Sequence, residues 1–342
     1  MIKKNLERKN KTTGLGLVSG GLDSLIACLL IKLQGIKVIG INFRSPFCIS
    51  KKNPNALGCD LKLFNEKLGI KVHALTIEDD YLEVIRNPKY GYGKNLNPCI
   101  DCRIYFLNKA KEFQKKIGAD FIFTGEVLNQ RPKSQHLKAL KIVEQDSGLK
   151  GKLLRPLSAL LLKPTIYEKQ GLIDRSKLLG VNGRKRKIQL EMARKYNLLQ
   201  EYYATAGCLL TDKHFVNRMR DYLRFNELLK IEDINILKYG RHFRYNQTKI
   251  IVGRNELENK MLLELKNSDD FIMEVKDEVG PITIIQGLVD DQSLNYAAML
   301  TLRYSDYGNL MGDVIYGKNY NDLIHKLTVK KATEAIVKMH IL

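Results

Sequence analysis

The sequence predicts an α/β protein with a doubly wound parallel sheet, a helical extension and a smaller α+β domain at the C-terminus. Three observations support this fold class. In the first part of the chain, short β-branched runs alternate with helical patterns of about a dozen residues. After Leu157 the pattern is mostly helical, and near residue 236 it changes to β-rich runs. The predicted domains are therefore 1–185, 186–235 and 236–342.

The elements follow one another in a regular order. The predicted strands of the first domain are 15–19, 38–43, 72–77 and 121–124. Helical patterns start at Leu22 and end at Gly35, and others cover 104–117, 190–199 and 215–229. The tail has predicted strands at 250–252 and 282–285 and a helix over 255–265. Ligands of such parallel sheets bind beyond the carboxyl ends of the strands.

The charge of the chain is strongly basic and unevenly distributed. Its 342 residues carry 57 Lys and Arg against 37 Asp and Glu, a net charge of +20. Residues 131–195 hold 17 basic and 5 acidic side chains, whereas 236–342 hold 14 of each. This distribution indicates a polyanionic partner for the first part of the chain. A lysine-rich solvated surface is the alternative interpretation.

Composition also restricts the compartment. The sequence has no run of 18 apolar residues and no signal-peptide pattern in residues 1–13, so we expect a cytoplasmic protein without a membrane span. Structural disulfides are rare in that compartment, so clustered members of its six cysteines indicate metal binding or catalysis.

The segment Ser19-Gly20-Gly21-Leu22-Asp23-Ser24 joins the first predicted strand to the first helix. Glycines there let the backbone approach an anion, and the helix N-terminus offers N–H groups to it. Ser19 and Ser24 add hydroxyl donors. Asp23 repels phosphate, so its expected role is to hold Mg²⁺.

This string resembles the Ser-Gly-Gly-x-Asp-Ser signature of PP-loop ATP pyrophosphatases. The resemblance implies that Ser19, Gly20, Gly21, Asp23 and Ser24 bind ATP, and that ATP is split between its α and β phosphates. It further implies that the adenine stacks at the end of the second strand, near Phe43.

A second stretch, Thr124-Gly125-Glu126 and its continuation to Gln135, resembles part of the 4-thiouridine synthetases of tRNA. Asn129 replaces a glycine of that family, which asparagine can do because it tolerates similar backbone angles. The resemblance places Thr124 and Gly125 in the nucleotide site. Arg155, in a matching Arg-Pro-Leu, either neutralises pyrophosphate or forms an ion pair with a local acid.

Three cysteines stand in two recognisable contexts. Cys99 and Cys102 form a Cys-x-x-Cys at a helix start, and Cys208 follows a glycine about a hundred residues later. Such a helix start lowers a thiol pKa. Both segments resemble their counterparts in 2-thiouridine synthases and in cluster-bearing tRNA thiolases.

Three interpretations of these cysteines stay open. In the first, Cys99, Cys102 and Cys208 hold a [4Fe–4S] cluster whose fourth iron binds sulfide. In the second, Cys99 or Cys208 carries a persulfide and the other resolves it. In the third the cysteines are inert or bind structural zinc, which normally requires a fourth ligand. Of the remaining cysteines, Cys28 is expected in the core, and Cys48 and Cys59 are accessory ligands, a redox pair or unrelated thiols.

The tail segment from Lys249 to Asn259, with Asp269-Asp270 and Gly280-Pro281, resembles the NFACT RNA-binding domain. The resemblance implies an RNA-contacting module, with a basic patch at Arg241, Arg244, Lys249 and Arg254. The run from Arg184 to Lys187 is a second candidate for contact with the tRNA backbone.

Together these features predict an ATP-dependent tRNA sulfurtransferase. A uridine leaves the tRNA stack, its carbonyl oxygen is adenylated, and sulfur displaces AMP, with Cys99, Cys208 and Asp23 as catalytic residues. A cysteine desulfurase or inorganic sulfide is the expected sulfur donor. The alternatives are another adenylating ligase or amidotransferase of the PP-loop class, and a non-catalytic RNA-binding factor.

Overall fold

A computed structural model describes residues 12–48, 61–199 and 207–342. The chain divides into two compact units, an N-terminal unit (Met1–Thr211) and a C-terminal unit (Asp212–Leu342). This division lies inside the segment 186–235 that the sequence analysis assigned to a helical extension. The three-domain division therefore stays a prediction.

The N-terminal unit is built on a five-stranded parallel sheet in the order β3-β2-β1-β4-β5. Its strands are β1 (Thr13–Leu17), β2 (Lys37–Arg44), β3 (Lys71–Thr76), β4 (Phe121–Thr124) and β5 (Leu153–Leu154). Because β1 lies between β2 and β4, the segments that follow these three strands meet at one edge of the sheet.

Helices cover both faces of this sheet. They are α1 (Leu22–Lys32), α2 (Lys62–Glu66), α3 (Asp80–Arg86), α4 (Cys99–Ile117), α5 (Leu137–Asp146), α6 (Ile166–Lys169) and α7 (Lys187–Lys195). Phe121 and Phe123 pack in the apolar cluster of α1, whereas Ile122 packs in the cluster of α4. This alternation along one strand is what a sheet buried on both faces requires.

Two glycines of β1 set the packing of the sheet against α1. A Cβ atom on Gly14 would lie 2.7 Å from the Phe121 ring, and one on Gly16 would lie 2.6 Å from the Phe123 ring. Both aromatic side chains therefore lie over a glycine of the neighbouring strand. Any side chain at either position would displace the aromatic core.

The C-terminal unit is built on a six-stranded antiparallel sheet in the order β11-β10-β8-β9-β7-β6. The strands are β6 (Arg241–Tyr245), β7 (Thr248–Val252), β8 (Phe271–Val275), β9 (Thr283–Gly287), β10 (Met311–Gly317) and β11 (His325–Lys330). The helices are α8 (Lys213–Phe225), α9 (Glu256–Leu265), α10 (Asp291–Arg303) and α11 (Glu334–His340). Tyr296, Ala297 and Leu300 of α10 are buried in the core of this unit.

The predicted fold class is confirmed, but several element boundaries differ. The helix expected at 104–117 begins at Cys99, directly after Pro98. The helix expected at 190–199 ends at Lys195, because Asn197 adopts a left-handed φ of 54°. The elements that were not predicted include helix α10 and strands β5, β6, β8, β10 and β11.

None of the helices in the described ranges is long and apolar enough to cross a membrane.

Candidate active site

The phosphate loop lies between β1 and α1. Gly20 has a φ of 75°, a conformation that glycine adopts without strain, and Gly21 caps α1 in an extended conformation. Ser24 Oγ donates to the Gly21 carbonyl oxygen at 2.8 Å, and the Ser19 N–H donates to Ser24 Oγ at 3.3 Å. Since the first N–H groups of a helix have no partner within the helix, this corner suits an anion.

A small cavity, here called the phosphate cavity, opens beside this loop. Its walls include Ser19, Gly21, Asp23 and Ser24 from the loop and Thr124 and Gly125 from the end of β4. Gly125 is fixed by sterics, because a Cβ atom there would lie 2.6 Å from the Ser24 nitrogen. The two motifs that the sequence analysis assigned to the nucleotide therefore lie against each other.

Asp23, which lines this cavity, has three polar neighbours. Its carboxylate accepts hydrogen bonds from Gln130 Nε2 and Gln189 Nε2, each at 3.1 Å, and lies 3.5 Å from an Arg186 nitrogen. Magnesium is usually held by one or two carboxylates together with substrate phosphates. A single carboxylate fits that donor set, provided that these neighbours give way, so Mg²⁺ on Asp23 stays a prediction.

Arg155 forms ion pairs with two carboxylates of the N-terminal unit. Its side chain is 1% exposed and lies 3.0 Å from the carboxylate of Glu126, which Arg103 also contacts at 3.2 Å. A second ion pair joins Arg155 to Glu144. Burial opposes ionisation of Glu126, but the two arginines outweigh it and lower its pKa. The structure therefore favours the ion-pair alternative, because two carboxylates compensate the charge of Arg155, and pyrophosphate neutralisation by this residue stays a prediction.

A larger cavity of about 430 Å³, here called the thiol cavity, is lined by four cysteines. Cys99 and Cys102 lie on the first turn of α4, Cys48 follows β2, and Cys208 follows Gly207. The three cysteines singled out in the sequence thus face one cavity, together with Cys48. Cys28 is buried in the core as expected, and Cys59 lies outside the described residues.

Backbone hydrogen bonds hold the Cys208 segment at this cavity. The Leu209 N–H donates to the Phe47 carbonyl oxygen at 2.8 Å, and the Leu96 N–H donates to the Leu210 carbonyl oxygen at 3.1 Å. Asn95 Nδ2 adds a bond of 2.9 Å to the Thr211 carbonyl oxygen. A segment far along the chain is therefore tied to the loops before α4 and after β2.

Burial raises the pKa values of three thiols of this cavity, those of Cys99, Cys102 and Cys208. Burial raises the pKa of Cys102 to about 11 and that of Cys208 to about 12. Burial also raises the pKa of Cys99, although the nearby Arg103 and Arg131 oppose the shift. The expectation that the helix start lowers these pKa values is therefore wrong, because desolvation outweighs the helix terminus.

The thiol cavity has the side chains that a metal cluster requires, but these side chains are not arranged around a common metal position. Thiolates are the ligands of iron–sulfur clusters, and four cysteines are present. Among the described residues, however, no three Cys, His, Asp or Glu side chains are placed to hold a metal ion. Cys99 Sγ instead donates to Asn97 Oδ1 at 2.9 Å, and the Tyr81 hydroxyl donates to Cys102 Sγ at 3.1 Å. The iron–sulfur cluster on Cys99, Cys102 and Cys208 stays a prediction.

The two cavities share a wall. Leu17, Ser19, Arg103 and Arg131 line both of them. Phe43 lines the thiol cavity, and its ring stacks on Phe106 at a centroid distance of 4.7 Å. A group that occupies the phosphate cavity therefore lies next to a group held among the thiols.

Sequence reasoning missed the two arginines of this wall. Arg103 directly follows the Cys-x-x-Cys, and Arg131 lies inside the motif after β4, so their positions were visible as basic residues next to chemistry. Desolvation and the charge of Arg103 lower the pKa of Arg131, and within the described residues no carboxylate forms an ion pair with Arg131. This wall therefore favours an anion.

The basic residues proposed for RNA contact have acidic neighbours. Arg244 and Lys249 lie 2.6 and 2.8 Å from the Asp221 carboxylate, and Arg254 pairs with Glu258. The four residues therefore do not together form a patch of uncompensated positive charge. Within the run 184–187, the partly exposed side chain of Arg186 lies 3.5 Å from the Asp23 carboxylate.

Two family descriptions match the chain. Residues 10–173 match the description "Thiamine biosynthesis protein (ThiI)", and residues 240–341 match "NFACT protein RNA binding domain". Asn129, at the position of the family glycine, has a left-handed φ of 60°, which confirms the reason given for that replacement.

Curated relatives include tRNA-specific 2-thiouridylases named MnmA. The chain is 34% identical to that of Pelobacter propionicus over 114 residues, which is 32% of this chain and 31% of the relative. It is 27% identical to that of Karelsulcia muelleri over 268 residues, 74% of this chain and 63% of the relative. The chain thus spans 31% of the length of the first relative and 63% of the length of the second.

Solved structures with partial likeness include a 4-thiouridine synthetase–RNA complex with bound ATP. That match has 16% identity and a TM-score of 0.39, and it covers 66% of this chain and 52% of the other. The C-terminal part of a fibronectin/fibrinogen-binding protein from Streptococcus suis matches with 15% identity and a TM-score of 0.27, over 46% of this chain and 76% of the other. Neither likeness carries a functional conclusion. The two family matches and the sheet topology do identify the parts of the chain: residues 10–173 are a PP-loop domain of the ThiI type, and residues 240–341 are an NFACT-type RNA-binding domain.

Proposed function

We propose that this protein is an ATP-dependent tRNA sulfurtransferase that replaces a carbonyl oxygen of a uridine with sulfur. The observation that carries the proposal is the wall shared by the phosphate cavity and the thiol cavity. An activated base must meet its sulfur nucleophile without leaving the site, and two adjoining cavities provide that proximity. The names of the MnmA relatives support the same substrate class.

The first step proposed is adenylation of the base. ATP lies with its phosphates at the Ser19–Ser24 corner, where the α1 N-terminus, Arg103 and Arg131 stabilise negative charge. The uridine carbonyl oxygen attacks the α-phosphorus, and pyrophosphate leaves. Asp23 would hold a magnesium ion, and that ion would neutralise part of the negative charge on the phosphates.

The second step is sulfur transfer. A sulfur nucleophile held in the thiol cavity attacks the adenylated carbon, and AMP leaves with the former carbonyl oxygen. Because the cysteine pKa values are raised, a thiol must lose its proton to react, and the positive charges of Arg103 and Arg131 favour the thiolate of Cys99. Thiolation then exchanges one oxygen for one sulfur for each ATP converted to AMP and pyrophosphate.

The test is a reaction with the full chain, ATP, Mg²⁺, sodium sulfide and unfractionated tRNA from cells that lack tRNA-thiolating enzymes. Thiouridine is measured by mass spectrometry of tRNA digests, and pyrophosphate is measured in parallel. We expect both products, in equal amounts, and loss of both in Arg131→Gln. Lys116→Gln is the control, since Lys116 is exposed in the last turn of α4, at the opposite end from Cys99. Pyrophosphate release with ammonia or glutamine, and none with tRNA, would instead identify an amidotransferase or ligase.

The carrier of the sulfur is decided by a separate measurement. Protein purified without oxygen is assayed for iron, acid-labile sulfide and sulfur released by dithiothreitol, in the wild type and in Cys102→Ala. An iron-loaded wild type and an iron-free variant support the cluster. Iron-free wild type with releasable sulfur supports a persulfide.

A further inference from the structure

Cys48 lies opposite Cys208 in the backbone. The two residues form an isolated antiparallel β-bridge, in which the Leu209 N–H donates to the Phe47 carbonyl oxygen at 2.8 Å. This bond joins the residues flanking the pair, so Cys48 and Cys208 are a non-hydrogen-bonded pair. The Cα atoms of such pairs are about 4.5 Å apart, with close side chains. Disulfides form across Cα separations of about 4.4–6.8 Å.

Cys48 and Cys208 also differ in their access to solvent. Cys48 is exposed, whereas Cys102 and Cys208 are half-buried in the cavity wall. Cys102 is further engaged by the Tyr81 hydroxyl. An exposed sulfur can meet a soluble reductant, which a disulfide formed in each catalytic cycle requires.

We propose that Cys48 is the resolving thiol of the transfer reaction. This inference rests on the proposed function with sulfur carried as a persulfide on Cys208. The terminal persulfide sulfur attacks the adenylated carbon, AMP leaves, and the base is joined to Cys208 through a disulfide. The Cys48 thiolate then attacks Cys208 Sγ, the base leaves as the thiouridine, and a Cys48–Cys208 disulfide forms. An external dithiol reduces that disulfide by two electrons and restores both thiols.

The first experiment needs no catalysis. The full chain is equilibrated in glutathione redox buffers, and its disulfides are mapped by mass spectrometry without reduction. We expect a peptide pair that links Cys48 to Cys208 and is also present in Cys102→Ser. A link from Cys208 to Cys99 or Cys102, or from Cys48 to Cys59, in place of that pair overturns the proposal.

The second experiment follows a single turnover with persulfide-loaded protein, ATP and the same tRNA, without added thiol. Wild type releases thiolated tRNA and gains the Cys48–Cys208 disulfide. In Cys48→Ser and Cys48→Ala the tRNA stays covalently attached on a denaturing gel until dithiothreitol is added, and the rate at which thiolated tRNA is released without it falls at least about tenfold. Melting temperatures equal to that of wild type exclude misfolding.

Release of thiolated tRNA by Cys48→Ser at the wild-type rate refutes the resolving role while the proposed function stands. If wild type makes no thiouridine although the mapped disulfide forms, the proposed function and the resolving role both fail and only the redox pair remains.

Discussion

Basic side chains have different surroundings in the two units of this protein. In the N-terminal unit, Arg103 and Arg131 line the cavities, and no described carboxylate pairs with Arg131. In the C-terminal unit, Arg244 and Lys249 share the buried Asp221 carboxylate. The net charge of a unit therefore does not by itself locate an anion site. What locates it is cationic charge that the protein itself leaves uncompensated.

The largest expected effect is that of a substitution at Cys208, in the N-terminal unit. We expect Cys208→Ser to lower thiouridine formation by about 1,000-fold or more, since the nucleophile of an enzyme contributes effects of that size. Pyrophosphate exchange into ATP should persist, because the phosphate cavity is intact. If thiolation by Cys208→Ser stays within tenfold of wild type, the thiol cavity is not the site of sulfur transfer.

The second prediction tests compensation in the C-terminal unit. Asp221→Asn leaves Arg244 and Lys249 buried without their carboxylate, and removing one partner of a buried ion pair costs about 3–5 kcal/mol. Urea unfolding of the full chain should show the loss in the transition of this unit. Asp313→Asn is the control, because its partner Lys326 is exposed and little change is expected. Equal effects of the two variants would contradict a structural role for the Asp221 cluster.

The third prediction concerns the pH dependence of alkylation of the Cys102 thiol, compared with that of an unperturbed cysteine. Only the thiolate reacts with iodoacetamide, and the pKa of Cys102 is about 11. Its alkylation rate should therefore rise about tenfold for each pH unit and show no plateau up to pH 10, since pH stays below the pKa. Site-resolved mass spectrometry measures the rate. A plateau near pH 9, where an unperturbed cysteine levels off, would show that burial does not control this thiol.

The smallest predicted effect compares two asparagines with left-handed backbone. Asn129 has φ 60° in the N-terminal unit, and Asn246 has φ 51° in the turn between β6 and β7. Alanine at either position should cost about 1 kcal/mol of stability, whereas glycine should be nearly neutral. Only Asn129→Ala should also reduce thiolation, because its loop carries Gln130 and Arg131. Loss of thiolation in Asn246→Ala to the same extent would break this distinction.

Much of the fold was predictable because its determinants are local. Alternating apolar runs and helical patterns predicted the parallel sheet, and the Gly-Gly corner predicted the start of α1. The boundaries of α4 and α7 were less accurate, since they depend on Pro98 and on the backbone conformation of Asn197. Strands β10 and β11 have mixed polar patterns, and only their pairing in the sheet defines them.

The candidate site divides in the same way. The sequence by itself determined the phosphate loop, the Thr124-Gly125 motif and the Cys-x-x-Cys at the start of α4, because each of them is a short, contiguous segment. Only the tertiary structure decided that Cys48 pairs with Cys208 in a β-bridge and that Arg131 lines both cavities. It also decided that Glu126 and Glu144 neutralise Arg155. The physical reason is that charge compensation and desolvation depend on which distant side chains meet, and the order of residues along the chain does not specify those meetings.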